Sequence, residues 1–231
     1  MSNLKKFIQL TYNRFRYPEL VERQKNEFDK SRFSVLFQQL SHPLRTYGEI
    51  KYEGRGSLFI ANVLAILYFF TQVFVYFRTG YLFTDNEPSD FSLSSTLISS
   101  VGILILWTVC NWVTGTLLEG EGSFKELWIA ACYSVLPYII IQIIASAISP
   151  VLILSELTML NTFKALSQIW MFLLIFCGMM IIQQFTVSKA LVSSFITVLM
   201  MLVVTFLILL FFSIFQQMFG FATTFIHELG R

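Results

Sequence analysis

The sequence predicts an all-α integral membrane protein: five transmembrane helices behind an N-terminal cytoplasmic segment that contains an amphipathic helix. Three observations carry this. The chain is 55% hydrophobic and only 13% charged, against about 25% charged in an average soluble protein. Its charges are segregated, with eleven Lys and Arg and six Asp and Glu before residue 57, a formal +5 for that segment against +2 for the whole chain. Five long apolar runs then follow. A bilayer core about 30 Å thick needs roughly 20 apolar residues as helix, because backbone polar groups must pair within the segment.

The head is read as residues 1–56. Phe33, Leu36, Phe37 and Leu40 recur at i, i+3, i+4 and i+7, with Lys30, Arg32 and Gln38 among or beside them. That spacing predicts a helix lying on the inner leaflet. His42-Pro43 ends it, since the residue before proline avoids the helical region. A second short segment, Leu44 to Tyr52, leads through Gly54-Arg55-Gly56 to the membrane. Both helices can pack beneath the bundle, and docking a partner is compatible with that. The basic residues are interleaved with acids and form no compact run, so attraction to anionic headgroups is the expected role and nucleic acid is not. Lys5 and Lys6 are followed by charged residues where a cleavable signal needs an apolar core.

The spans are expected at Leu58 to Phe77, Leu97 to Leu117, Leu127 to Leu154 (interrupted by Pro137 and Pro150), Ala165 to Phe185 and Leu191 to Phe215. They place a membrane domain at 57–217 and a short outer tail at 218–231. With the N-terminus inside, the cytoplasmic parts hold thirteen basic residues, and the outer parts hold only Arg78, Lys164 and Arg231. The positive-inside rule then puts the N-terminus in the cytoplasm and His227-Glu228-Leu229-Gly230-Arg231 outside a cell membrane.

No Asp, Glu, Lys, Arg or His stands in the middle of an expected span. Proton relays, pumps and voltage sensors require such groups at membrane depth. The buried polar residues are neutral: Asn62, Gln72, Asn111, Gln142 and Gln168, with Gln183 and Gln184 near the inner end of the fourth span. Amides of this kind join helices, and the same residue types line a solute pathway. Trp107 and Trp112 flank Asn111, and Trp128 opens the third span at headgroup level. Cys110, Cys132 and Cys177 lie in apolar segments and form no CxxC pair, so they are read as packing residues rather than a disulfide or zinc framework.

Between the second and third spans stands Glu119-Gly120-Glu121-Gly122-Ser123-Phe124-Lys125-Glu126. Gly120 and Gly122 permit positive φ and a sharp reversal. Ser123 with Glu126 matches a capping box, so the third span is expected to begin there, its dipole favouring the nearby carboxylates. Glu119, Gly120, Glu121, Gly122, Lys125 and Glu126 form the candidate docking loop for a basic patch on a partner; a capped turn is the plainer reading. Two carboxylates without a His, Cys or third acid give little support to a metal site, and a membrane enzyme acting on lipid, with Glu119 and Glu121 as acid and base, is the third and most distant reading. No phosphate-binding loop, GxSxG, HExxH or dinucleotide fingerprint appears, and His227-Glu228 is only half of a metal motif. Neither a catalytic residue, a metal nor a cofactor is expected.

Taken as a set, Asn111-Trp112, the 119–126 run and Cys132-Tyr133-Ser134-Val135-Leu136-Pro137-Tyr138 resemble the Yip family. The likeness is closest to a bacterial branch in which ANW, DGEG-x-FKD and AxxYxxxP recur in this order. His42-Pro43, the Tyr52 to Ser57 run and the Gly178, Gln184, Lys189 stretch extend it over Ser41 to Arg231. Cys110 and Glu119 stand where that branch often has Ala and Asp. Eukaryotic relatives are five-span proteins of vesicle traffic that bind Rab GTPases; the DLYGP motif they carry is missing here, so Rab binding is not implied. The resemblance implies a protein encoded beside ABC transporters. The expectation is therefore a non-enzymatic accessory or scaffold protein of the bacterial plasma membrane, partnering an ABC permease or ATPase subunit. The alternative is a small-solute channel or passive transporter lined by Asn111, Gln142 and Gln168. Small-residue packing serves self-association and partner binding equally.

Overall fold

The computed structural model describes residues 39, 43–52, 54, 56–78, 91–149 and 156–229. The expected surface helix of Phe33, Leu36, Phe37 and Leu40 lies outside the described residues. A short helix α1 (Pro43–Tyr52) precedes α2 (Leu58–Arg78); α3 (Leu93–Leu97) runs through a π-helical turn (Ile98–Gly102) into α4 (Ile103–Leu117). Then follow α5 (Phe124–Ser134), α6 (Leu136–Ile148), α7 (Leu157–Ile182) and α8 (Val187–Leu229), with no strand among the described residues. Five of these units are long and apolar enough to cross a membrane: Leu58–Arg78, Leu93–Leu117, Phe124–Ile148, Thr158–Ile182 and Val187–Phe221.

Pro43 opens α1, where a missing N–H costs nothing. Pro137 falls in the first turn of α6, so the third span is two helices joined at Val135 rather than one straight rod. That span is the axis of the bundle. Its 18-residue core window is 67% buried, whereas the windows of the other four are between 6% and 33% buried. α2 packs on both α5 and α6, α7 packs on both, and α4 bridges α5 and α8. Tyr133, Cys132 and Val135 are fully enclosed at the junction. Exposed Phe, Leu and Ile on the outer faces of α2, α4, α7 and α8 suit contact with lipid.

Neutral amides and hydroxyls join the helices. Trp128 Nε1 donates to Asn62 Oδ1 at 2.9 Å, Gln72 Nε2 to Tyr138 Oη at 3.3 Å, and Gln142 Nε2 to Ser167 Oγ at 3.3 Å. Each such bond contributes about 0.6–2 kcal/mol in a bilayer. Thr71, Thr108 and Thr197 instead satisfy their hydroxyls on the carbonyl four residues back.

Helix ends differ from the expectation, most informatively in three places. α7 begins at Leu157, not Ala165, which brings Lys164 inside the helix. The second span begins at Leu93 rather than Leu97, through a π turn that apolar periodicity does not signal. α8 does not stop at Phe215 but continues to Leu229, so most of the expected outer tail is helical.

Candidate functional site

One end of the bundle gathers the 119–126 loop, the α7–α8 turn and the last turns of α1. α4 closes with the Leu118 amide on the Thr114 and Gly115 carbonyls and the Gly120 amide on Gly115 O at 2.7 Å. The left-handed residue of this stop is Glu119, at φ 59°, and not a glycine. Gly120 and Gly122 are therefore not there for positive φ. They make room for Gln183, whose carboxamide lies against Gly115, Gly120 and Gly122 so closely that a Cβ at Gly115 or Gly120 would overlap it. Gln183 Oε1 accepts the Gly122 amide at 3.1 Å, its Nε2 donates to Asn111 O at 3.4 Å, and its backbone carbonyl accepts the Glu121 amide at 3.4 Å. The fully buried Gln183 thus stitches the α7 end to α4 and the loop. Its neighbour Gln184 stands at φ 57° and is exposed, terminating α7.

The far side of the loop is fixed by the capping box. Ser123 Oγ accepts the Glu126 amide at 3.4 Å, and Glu126 Oε2 accepts the Ser123 amide at 3.2 Å. Lys51 of α1 joins it, its Nζ 2.6 Å from Glu121 O and 3.3 Å from Glu126 Oε2. Glu126 is therefore occupied internally on two sides. Glu49 is likewise engaged, 3.2 Å from Arg45 Nε. Glu119, Glu121 and Lys125 remain exposed on this rigidly backed turn.

α1 is anchored by Tyr47, which has no exposed surface. Gln39 Nε2 donates to Tyr47 Oη at 2.7 Å, Tyr47 Oη lies 2.7 Å from Ser134 Oγ, and Ser134 donates to Ala130 O at 2.7 Å. Because Ser134 uses its proton on Ala130, Tyr47 is the donor to Ser134. Burial pushes the Tyr47 hydroxyl well above its ordinary range, outweighing the hydrogen bonds to Ser134 and from Gln39, so it stays neutral. The ring lies over Gly178, where a Cβ would come within 3.1 Å of it.

The proposed pathway residues are not brought together. Asn111 is buried with both side-chain polar atoms unpartnered among the described residues, at a cavity of about 10 Å³ lined by Trp107, Thr108, Ala130 and Met179. Such a space holds about one water molecule. Gln142 is buried but bonded to Ser167, while Gln168 is on the exposed face of α7. No group of three His, Cys, Asp or Glu suited to a metal occurs among the described residues. Gln183, Tyr47 and Lys51 were not distinguished by the sequence. The three glycines at 115, 120 and 122 were the available sign that something presses on the loop.

Four apolar spans around a central two-part span, closed at one end by an amide-stitched turn, define a multi-pass helical membrane protein. The family model of the Yip1 domain matches residues 37–226. The chain belongs to that family, one of membrane proteins not known as enzymes. Neither a curated protein nor a solved structure matches it.

Proposed function

We propose that the protein is a non-enzymatic accessory or scaffold subunit of the plasma membrane that docks a transporter of the ABC type through the turn at Glu119 and Glu121. The observation that carries this reading is the division of labour among the loop carboxylates. Glu126 is held by Ser123 and Lys51, while Glu119 and Glu121 stand exposed on a turn fixed from behind by Gln183. A preorganised turn presents its charges at little entropic cost, and complementary charge steers a basic partner surface onto it. In this reading the N-terminus and the loop face the cytoplasm, on the side that carries Lys51, Lys125 and Lys189. The ABC-type partner follows from the resemblance to the bacterial branch.

The test is affinity purification from gently solubilised native membranes with Glu119→Lys and Glu121→Lys combined. Recovery of an ABC permease or ATPase with the parent chain, lost in the double variant while insertion and melting are kept, is the expected result. Unchanged recovery removes the docking role of the turn, and a parent chain recovered alone removes the accessory reading.

A further inference from the structure

The stripe by which α7 packs into the bundle contains one charge. Leu160, Ser167, Met171, Leu174 and Gly178 are buried at helical spacing, and Lys164 occupies the place in that series between Leu160 and Ser167. It is half-buried. Every other charged residue in the five spans lies within three residues of a span end, whereas Lys164 is the seventh residue of the fourth span. An ionisable group so placed calls for a partner. Lys164 makes no ion pair among the described residues, and Glu156, the nearest acid in sequence, stands about 12 Å further out with a contact of its own.

The facing helix supplies donors at the same level. Tyr138 of α6 faces α2, through its ring contact with Tyr68 and the bond from Gln72. Gln142 is turned about 40° from Tyr138 and meets Ser167 of α7, and Ser146 is turned about 40° further in the same sense. On α7, Lys164 is turned about 60° from Ser167. The two helices run antiparallel, so these rotations carry Ser146 and Lys164 to the same side of their seam. Ser146 stands about 6 Å beyond Gln142 and Lys164 about 4.5 Å beyond Ser167, both toward the end of the bundle opposite the 119–126 loop. Across a helix–helix distance of about 8–10 Å, the hydroxyl is within reach of the four-carbon lysine stem. Ser146 Oγ and, nearly one turn further out, Ser149 Oγ are fully buried and have no hydrogen-bond partner among the described residues.

An ammonium and two hydroxyl donors, with no carboxylate among them, have the chemistry of an anion site. Depth narrows the anion. Lys164 stands eighteen residues from Ile182 at the loop end of α7, about 27 Å of helix, against a hydrocarbon core of about 30 Å. The ammonium is therefore near the far boundary of the core, at the level of phospholipid phosphates. Snorkelling alone suits a lysine on the lipid-facing side of α7, among Phe163, Leu166 and Trp170. It does not account for a place in the inward stripe beside orphaned hydroxyls.

We infer that Lys164, Ser146 and Ser149 bind a phosphate-class anion at the seam of α6 and α7. A phospholipid headgroup and inorganic phosphate both supply that chemistry. The inference is independent of the Glu119–Glu121 docking turn. The test is the melting of the purified full chain in plain dodecyl maltoside micelles, in micelles carrying phosphatidylglycerol, and in plain micelles with inorganic phosphate. Phosphatidylglycerol is expected to raise the parent's midpoint by several degrees, since a ligand held by the folded chain stabilises it by mass action. Lys164→Gln and Ser146→Ala are each expected to lose most of that rise while still melting cooperatively in plain micelles. Arg78→Gln, at an exposed arginine on the same end of the bundle, is expected to keep it. A rise with inorganic phosphate in plain micelles assigns the site to the soluble anion, and a rise with phosphatidylglycerol alone assigns it to the headgroup. No rise with either, an undiminished rise in Lys164→Gln or Ser146→Ala, or an equal loss in Arg78→Gln overturns the inference.

Discussion

Gln183 fills the space in front of Gly120 that any larger residue there would need, and its Oε1 takes the amide of Gly122, two residues on. The glycine and the glutamine are therefore one packing decision divided between two loops. Gly120→Ala should lower stability by about 1–3 kcal/mol through overpacking. Gln183→Ala should cost about 1–3 kcal/mol because Gly122 N–H and Asn111 C=O lose their partner. With both substitutions the methyl enters the vacated space, so the double variant should lose clearly less than the sum. Thermal-denaturation midpoints in detergent decide it; strictly additive losses would show that the two residues do not compete.

Tyr47 anchors α1 through a relay from Gln39 through Ser134 to Ala130, and its burial raises the hydroxyl from an ordinary value of 10.0. Tyr47→Phe keeps the ring over Gly178 but strands the Gln39 amide, a loss of about 1–3 kcal/mol. A raised pKa in the folded state means that the contribution is complete below the unfolded value and is lost as pH rises beyond it. The stability gap between parent and Tyr47→Phe should therefore be constant near neutrality and narrow above pH 10.0. A gap that widens in alkali would contradict the neutral, buried phenol.

The spans were legible because a bilayer enforces composition over some twenty residues, and the capping box was legible because Ser123 and Glu126 satisfy each other within one turn. The short segment read at Leu44 to Tyr52 is helix α1, which starts one residue earlier because Pro43 suits a first helical position. What stayed hidden was set by distant contacts. Nothing near Gln183 in sequence tells it apart from Gln184, yet one is fully buried and the other is exposed. Gln168 sits in an apolar run beside Ser167, and a weakly amphipathic helix gives no sign of which of the two turns inward. The role of Gly120 was hidden for the same reason: a glycine selected for a neighbour's bulk looks identical to one selected for positive φ. The length of α8 exceeds the expected span because its apolar pattern continues while changing from all-round to one-sided.

The loop separates structural from presented charge. Ser123→Ala should cost about 1 kcal/mol by removing the cap of α5. Lys51→Met should cost a similar amount or less, since its Glu126 pairing is partly solvated. Glu119→Lys with Glu121→Lys, on exposed side chains, should stay within about 0.5 kcal/mol of the parent. Melting of the three variants side by side checks the division. If charge reversal at 119 and 121 destabilises as much as loss of the cap, those carboxylates belong to the fold and not to a partner.

Asn111 offers the sharpest contrast between packing and polarity. Its side chain is 1% exposed, and neither Oδ1 nor Nδ2 finds a partner among the described residues, while its backbone carbonyl serves Gln183. A buried amide left unpaired costs about 1–3 kcal/mol, and leucine has similar bulk without that demand. Asn111→Leu leaves the backbone bond to Gln183 in place, so the protein should melt at the same temperature or higher. A marked fall would mean that the amide is satisfied in the membrane by a group that leucine cannot hold, and solute flux in liposomes would become the next measurement for that variant.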